Sequence, residues 1–140
     1  MDLLSVSVPT GTFTIGKRFD FEAGHQLCGL PPGHQCARQH GHSYEVEVVL
    51  TASSLAEPGF VTDFGALAPF KAFLDSAFDH RNLHEVLPVE PTSENLARFL
   101  AGWFIDNVQP SIPGRLAAVL VRETRRSWAR FDVEEAVNGQ

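Results

Sequence analysis

The chain has no long hydrophobic run, two cysteines and a deficit of basic residues, and each shortage removes a class of protein. Asp, Arg, Lys, Glu or Pro interrupts every apolar stretch short of the ~18 consecutive residues of a membrane-spanning helix, so no membrane span is expected. Eleven Lys and Arg against 17 Asp and Glu leave a net charge of -6, which argues against a sequence-independent grip on nucleic acid or anionic lipid, although a local basic pocket survives it. The start, MDLLSVSVPTGTF, lacks the basic and apolar regions of a secretion signal, so the expected location is cytoplasmic. Cys28 and Cys36 permit one disulfide, but in that compartment free thiols are the expectation.

What is present is one domain's worth of chain: 140 residues, 44% hydrophobic and 20% charged, without internal repeats. The expected organisation is a single domain over 1–140, with 1–11 as a flexible start. Alternation of Phe13, Ile15, Lys17, Phe19, Phe21, Ala23 and His25 predicts a strand over 12–25, and His40, His42, Tyr44, Val46, Val48 and Leu50 predict a second. Residues 63–78 predict a helix opened by Asp63, and residues 92–108 one opened by Pro91-Thr92-Ser93-Glu94 and ended by Pro110. Residues 116–124 and 127–133 predict two further strands, giving the order ββααββ. Segregated strands and helices favour an α+β fold with an antiparallel sheet, whose edges need covering, so an oligomer is expected.

Four of the six histidines, His25, His34, His40 and His42, fall in one short segment. His40 and His42 alternate onto one strand face, and His25, from another strand end, would complete the three-nitrogen set of a catalytic Zn²⁺ with an open position. The alternative is a set of ordinary surface or core histidines. His34, after Pro-Pro-Gly, reads as structural or solvated. Cys36, four residues before His40, would be a thiolate if a cation lay beside it, and Cys28 reads as a small apolar filler. Asp79-His80 is either an oriented acid–base pair or a histidine answering a helix C-terminus. Glu123, on an inward phase of an apolar strand, needs partners: an arginine such as Arg122 or Arg125, or the N–H edge of a planar heterocycle.

Phe21-Glu22-Ala23-Gly24-His25, Cys36-Ala37-Arg38-Gln39-His40-Gly41-His42-Ser43-Tyr44, Asp79-His80, Pro91-Thr92-Ser93-Glu94 and Glu123-Thr124 together resemble the family of 6-pyruvoyltetrahydropterin and 6-carboxytetrahydropterin synthases, over roughly residues 13–131. The resemblance implies a tunnelling fold: a four-stranded antiparallel sheet with two helices packed on one side, associating as an oligomeric barrel, a trimer or a dimer of trimers. It implies His25, His40 and His42 as zinc ligands, Cys36 as catalytic thiol, Asp79 and His80 as a proton-relay pair, and Glu123 as the pterin anchor with Thr124 beside it. The C-x-x-x-H-G-H interval and the Pro-Pro-Gly-His-Gln-Cys lead-in are similar to the bacterial carboxytetrahydropterin branch.

That branch implies a carbon–carbon lyase converting 7,8-dihydroneopterin triphosphate to 6-carboxy-5,6,7,8-tetrahydropterin, acetaldehyde and triphosphate, on the route to 7-deazaguanine compounds such as queuosine. Lys17, Arg18, Arg38 and Arg81 are candidate partners of the triphosphate. The competing expectations are triphosphate elimination without carbon–carbon cleavage, as in the pyruvoyl enzymes, and a noncatalytic zinc-binding module. Three positions depart from the family's habit: His84 in place of Asn or Asp, Phe78 in place of Leu, and Phe131 in place of Tyr.

Overall fold

A computed structural model describes residues 2–25, 31, 33 and 40–135, and for His25 and His40 only the backbone. The first strand, β1 (Phe13–His25), and the second, β2 (His40–Ala52), pair antiparallel along their whole length, from Phe13 opposite Ala52 to His25 opposite His40. A short 3-10 turn at Phe64–Leu67 leads into α1 (Ala68–Ala77), followed by β3 (Arg81–Asn82), α2 (Leu83–Val86), α3 (Ser93–Asn107), β4 (Arg115–Arg122) and β5 (Ala129–Asp132). The sheet order is β3-β1-β2-β4-β5.

The α+β expectation and the tunnelling-fold layout hold, with three local differences, of which the first is the short helix α2, absent from the expected order. The sheet gains a fifth strand, two residues long and parallel to β1, through Ala23–Arg81 and Gly24–Asn82. The helix expected over 63–78 divides: the Asp63 carboxylate caps the 3-10 turn by accepting the Gly65 N–H, and Pro69 falls in the first turn of α1, where its missing N–H is harmless.

Alternation sends Phe19, Phe21, Tyr44, Val46, Val48, Leu50, Val119 and Val121 to one face, where Phe70, Leu74, Leu96, Leu100 and Phe104 from α1 and α3 cover them. Phe70 meets Phe19 and Phe104 edge-on at 5.2 and 5.4 Å. Each such side chain contributes about 1.5–3 kcal/mol through burial. The opposite face is polar, with Arg18 bridging Glu45 and Glu47, and Arg122 also on Glu45. Among the described residues, no helix is long and apolar enough to cross a membrane.

Candidate active site

The β1–β2 ladder brings the backbones of His25 and His40 opposite each other at one end of the sheet, with His42 opposite Ala23 and Tyr44 opposite Phe21. On the helix-covered face Tyr44 stacks on Phe21 at 5.2 Å, and the His42 ring stands edge-on to Tyr44 at 5.6 Å. Burial, and then the charge of Glu123, push the Tyr44 phenol above its ordinary value, so it stays neutral.

Glu123 lies just past the end of β4, and neither of the arginines considered for it is its partner in the structure. Its Oε1 accepts the Ser93 hydroxyl at 2.5 Å, and its Oε2 stands 3.6 Å from His42 Nε2. Ser93 opens α3, after Thr92 has capped the helix by accepting the Asn95 N–H. A carboxylate against that first turn is favoured by the helix dipole. Arg122 instead pairs with Glu45.

Asp79 and His80 form a second cluster beside β1. Asp79 Oδ1 accepts the Glu22 N–H at 2.9 Å, while the His80 N–H donates to the Glu22 carbonyl at 2.6 Å. The clasp starts the β3 pairing and requires His80 to adopt φ 59°, a left-handed conformation that a non-glycine residue takes only when its surroundings hold it. Asp79 Oδ2 lies 3.0 Å from His80 Nδ1, so the carboxylate orients the imidazole, whose ring is 79% exposed. The Glu22 N–H, chiefly, holds the Asp79 carboxyl below its ordinary value. This settles the geometric half of the question about this pair: the acid touches the ring.

An open cavity of about 370 Å³ touches His42 of the first cluster and His80 of the second, lined also by Glu22, Gly24, Ser43 and Arg81 among others. Of the four candidate cations, Arg81 alone is placed in it: Lys17 lies over the Phe64 ring, Arg18 is ion-paired on the polar face, and Arg38 lies outside the described residues. Cys36, Cys28, His34 and the side chains of His25 and His40 also lie outside the described residues. The Thr124 hydroxyl is within 2.9 Å of Ser127 Oγ and accepts the Arg126 N–H, closing the β4–β5 turn. Of the departing positions, Phe78 is buried and Phe131 packs against the core; His84 Nε2 stands 3.8 Å from Glu85 and its Nδ1 is buried without a hydrogen bond.

Sequence reasoning missed Ser93, Tyr44, Glu22 and Ser43. Ser93 belongs to a motif that a helix start explains by itself. The Glu22–Ser43 hydrogen bond, 2.8 Å across adjacent strands, becomes visible only with the register.

The fold has solved counterparts. The 6-pyruvoyl tetrahydropterin synthase of Caenorhabditis elegans superposes with a TM-score of 0.76 over 91% of this chain and 100% of its own, at 23% identity. The chain belongs to the 6-pyruvoyl tetrahydropterin synthase family, whose model matches residues 14–134. Among named relatives, a 6-carboxy-5,6,7,8-tetrahydropterin synthase of Rickettsia bellii is 39% identical over 65 residues, 46% of each chain. The chain thus spans about half the length of that relative in the match. A dihydroneopterin monophosphate aldolase of Pyrococcus furiosus is 32% identical over 97 residues, 69% of this chain and 75% of its own.

Proposed function

We propose that the protein is a zinc-dependent 6-carboxy-5,6,7,8-tetrahydropterin synthase, converting 7,8-dihydroneopterin triphosphate and water to 6-carboxytetrahydropterin, acetaldehyde and triphosphate. The observation that carries the reading is Glu123, an oriented carboxylate between Ser93 and His42 at the end of the sheet where the backbones of His25 and His40 lie opposite each other. A fixed carboxylate can accept two parallel N–H donors from the edge of a pterin ring, which would set the ring's position before any bond changes.

His25, His40 and His42 would hold the metal; an all-nitrogen donor set at adjacent register positions fits a divalent ion such as Zn²⁺ in kind and placement. When bound, the ion supplies Lewis acidity toward the hydroxyls of the substrate side chain. Cys36 would remove and return protons at the side-chain carbons. His80, with Nδ1 fixed by Asp79, would exchange a proton through its other nitrogen, Nε2. Arg81 would meet the triphosphate from the cavity wall. The edge of β1 beyond its two-residue pairing with β3, and the edge of β5, would be paired in a trimer or a dimer of trimers. A cytoplasmic role in 7-deazaguanine and queuosine synthesis is part of the same proposal.

The second reading is triphosphate elimination to a pyruvoyl product, favoured by the likeness to the Caenorhabditis elegans structure. Anaerobic incubation of the zinc-loaded protein with 7,8-dihydroneopterin triphosphate distinguishes them. Carboxytetrahydropterin with acetaldehyde supports the lyase, whereas pyruvoyltetrahydropterin without acetaldehyde replaces it. Zinc bound without turnover points to a noncatalytic module or another pterin substrate.

A further inference from the structure

The chain is acidic as a whole, yet its positive charge is concentrated in one place. Four of its 11 basic residues, Arg122, Arg125, Arg126 and Arg130, fall within residues 122–130 beside a single acid, Glu123, which leaves seven bases against 16 acids elsewhere. This stretch is the hairpin that joins β4 to β5. Its turn is tied: the hydroxyls of Thr124 and Ser127 meet at 2.9 Å, and Thr124 also accepts the Arg126 N–H. Arg122 is paired with Glu45 and Arg130 with Asp132. Arg125 and Arg126 are exposed and have no acidic partner among the described residues, so their charge is not neutralised within the chain. Arg125 was a candidate partner of Glu123, and the contacts of that carboxylate with Ser93 and His42 leave it uncommitted.

The hairpin stands at the candidate active site. Glu123, its one acid, lies 3.6 Å from His42, which lines the open cavity that also holds Arg81. Arg125 follows Glu123 by two residues, which keeps their Cα atoms within about 7 Å, inside the screening length of about 8 Å at physiological salt. We propose that Arg125 and Arg126 steer the triphosphate of the substrate toward the cavity that holds Arg81. The inference rests on the reading of the site as one for a pterin triphosphate. A substrate with several negative charges is repelled by a chain of net charge -6, and a fixed basic hairpin beside the cavity supplies a local field of the opposite sign. Arginine keeps its charge across the whole physiological pH range, so the field is constant. It acts on the phosphates alone; an unphosphorylated pterin gains nothing from it.

The full chain carrying Arg125→Gln and Arg126→Gln together tests it. At low ionic strength, binding of inorganic tripolyphosphate, read by calorimetry, is expected to weaken about tenfold, and KM for 7,8-dihydroneopterin triphosphate to rise by a similar factor. The turnover number kcat and the binding of unphosphorylated 7,8-dihydroneopterin should stay unchanged. In the unaltered protein added salt should weaken tripolyphosphate binding and raise KM, and in the double variant that dependence should flatten. Arg125→Lys with Arg126→Lys keeps the charge and should behave as the unaltered protein. Tripolyphosphate binding and KM that ignore the glutamine substitutions overturn the proposal and leave the pterin reading intact. Equal weakening for dihydroneopterin also overturns it, because the arginines would then serve the ring or the fold. Failure of the unaltered protein to bind dihydroneopterin overturns the pterin reading itself, and the proposal with it.

Discussion

The Ser93 hydroxyl donates to Glu123 Oε1 at 2.5 Å, tying the first residue of α3 to the carboxylate that follows β4. A hydrogen bond to an ionised acceptor contributes about 1.5–3 kcal/mol, more than a neutral one. Here it also chooses the rotamer, leaving Oε2 toward His42. Ser93→Ala is expected to raise KM for the pterin by roughly tenfold, with a much smaller change in kcat, and Ser93→Thr to restore most of it. An unchanged KM in Ser93→Ala would mean that the carboxylate is positioned by other contacts.

The clasp of Asp79 on Glu22 carries a pH dependence of definite sign. The folded-state carboxyl lies below the unfolded value, near pH 4, chiefly because it accepts the Glu22 N–H. Its contribution to stability is therefore fully present above that range and is lost as the pH falls through the lowered folded value. Asp79→Asn should flatten stability against pH in this acidic window and leave it unchanged near neutrality in slope. Equilibrium denaturation of both proteins at a series of pH values between about 2 and 6 reads the difference.

In the proposed reaction the same pair would bear on turnover. With Asp79 on Nδ1, His80 would have one defined nitrogen for proton exchange in the proposed reaction, and since a positioned acid or base contributes about 10²–10⁴-fold, His80→Ala is expected to lower kcat by about 10² or more. Asp79→Asn is expected to lower kcat less than His80→Ala and to shift the pH profile of kcat. Equal losses in the two variants, without a shift, would remove the orienting role.

Much of the fold is legible before any coordinates, because long elements repeat their signal. The 13 residues of β2 alternate too regularly to be read otherwise, and the apolar stripe of α3 with its Thr92 cap marks both face and start. What escapes is short or long-range. Two residues of β3 and four of α2 have no room for a period, and β3 exists only because Asp79 and His80 hold the edge of Glu22. Glu123 was legible as an inward carboxylate, but its partners were not, since Ser93 lies 30 positions away and meets it only once α3 packs across β4.

Core packing above the sheet gives a prediction independent of the reaction. Phe104 is fully buried and meets Phe70 edge-on at 5.4 Å, at the point where α1 and α3 both cover the strands. Phe104→Ala leaves a void that close-packed neighbours fill only in part, and is expected to destabilise the protein by about 3–5 kcal/mol. Denaturant unfolding measures it directly. A loss below about 1 kcal/mol would mean that the layer relaxes into the space.

His42 and Glu123 face each other at 3.6 Å, so substitutions at the two test the proposed metal binding and pterin binding apart. If His42 is a ligand, His42→Ala should reduce zinc retained after dialysis by about tenfold or more, read by elemental analysis of the purified chain. Glu123→Gln removes only the charge, so it should keep the zinc of the unaltered protein while weakening pterin binding by about tenfold or more. The two substitutions thus give opposite patterns. Zinc loss in Glu123→Gln would make the carboxylate a member of the metal site, and undiminished zinc in His42→Ala would take this histidine out of it.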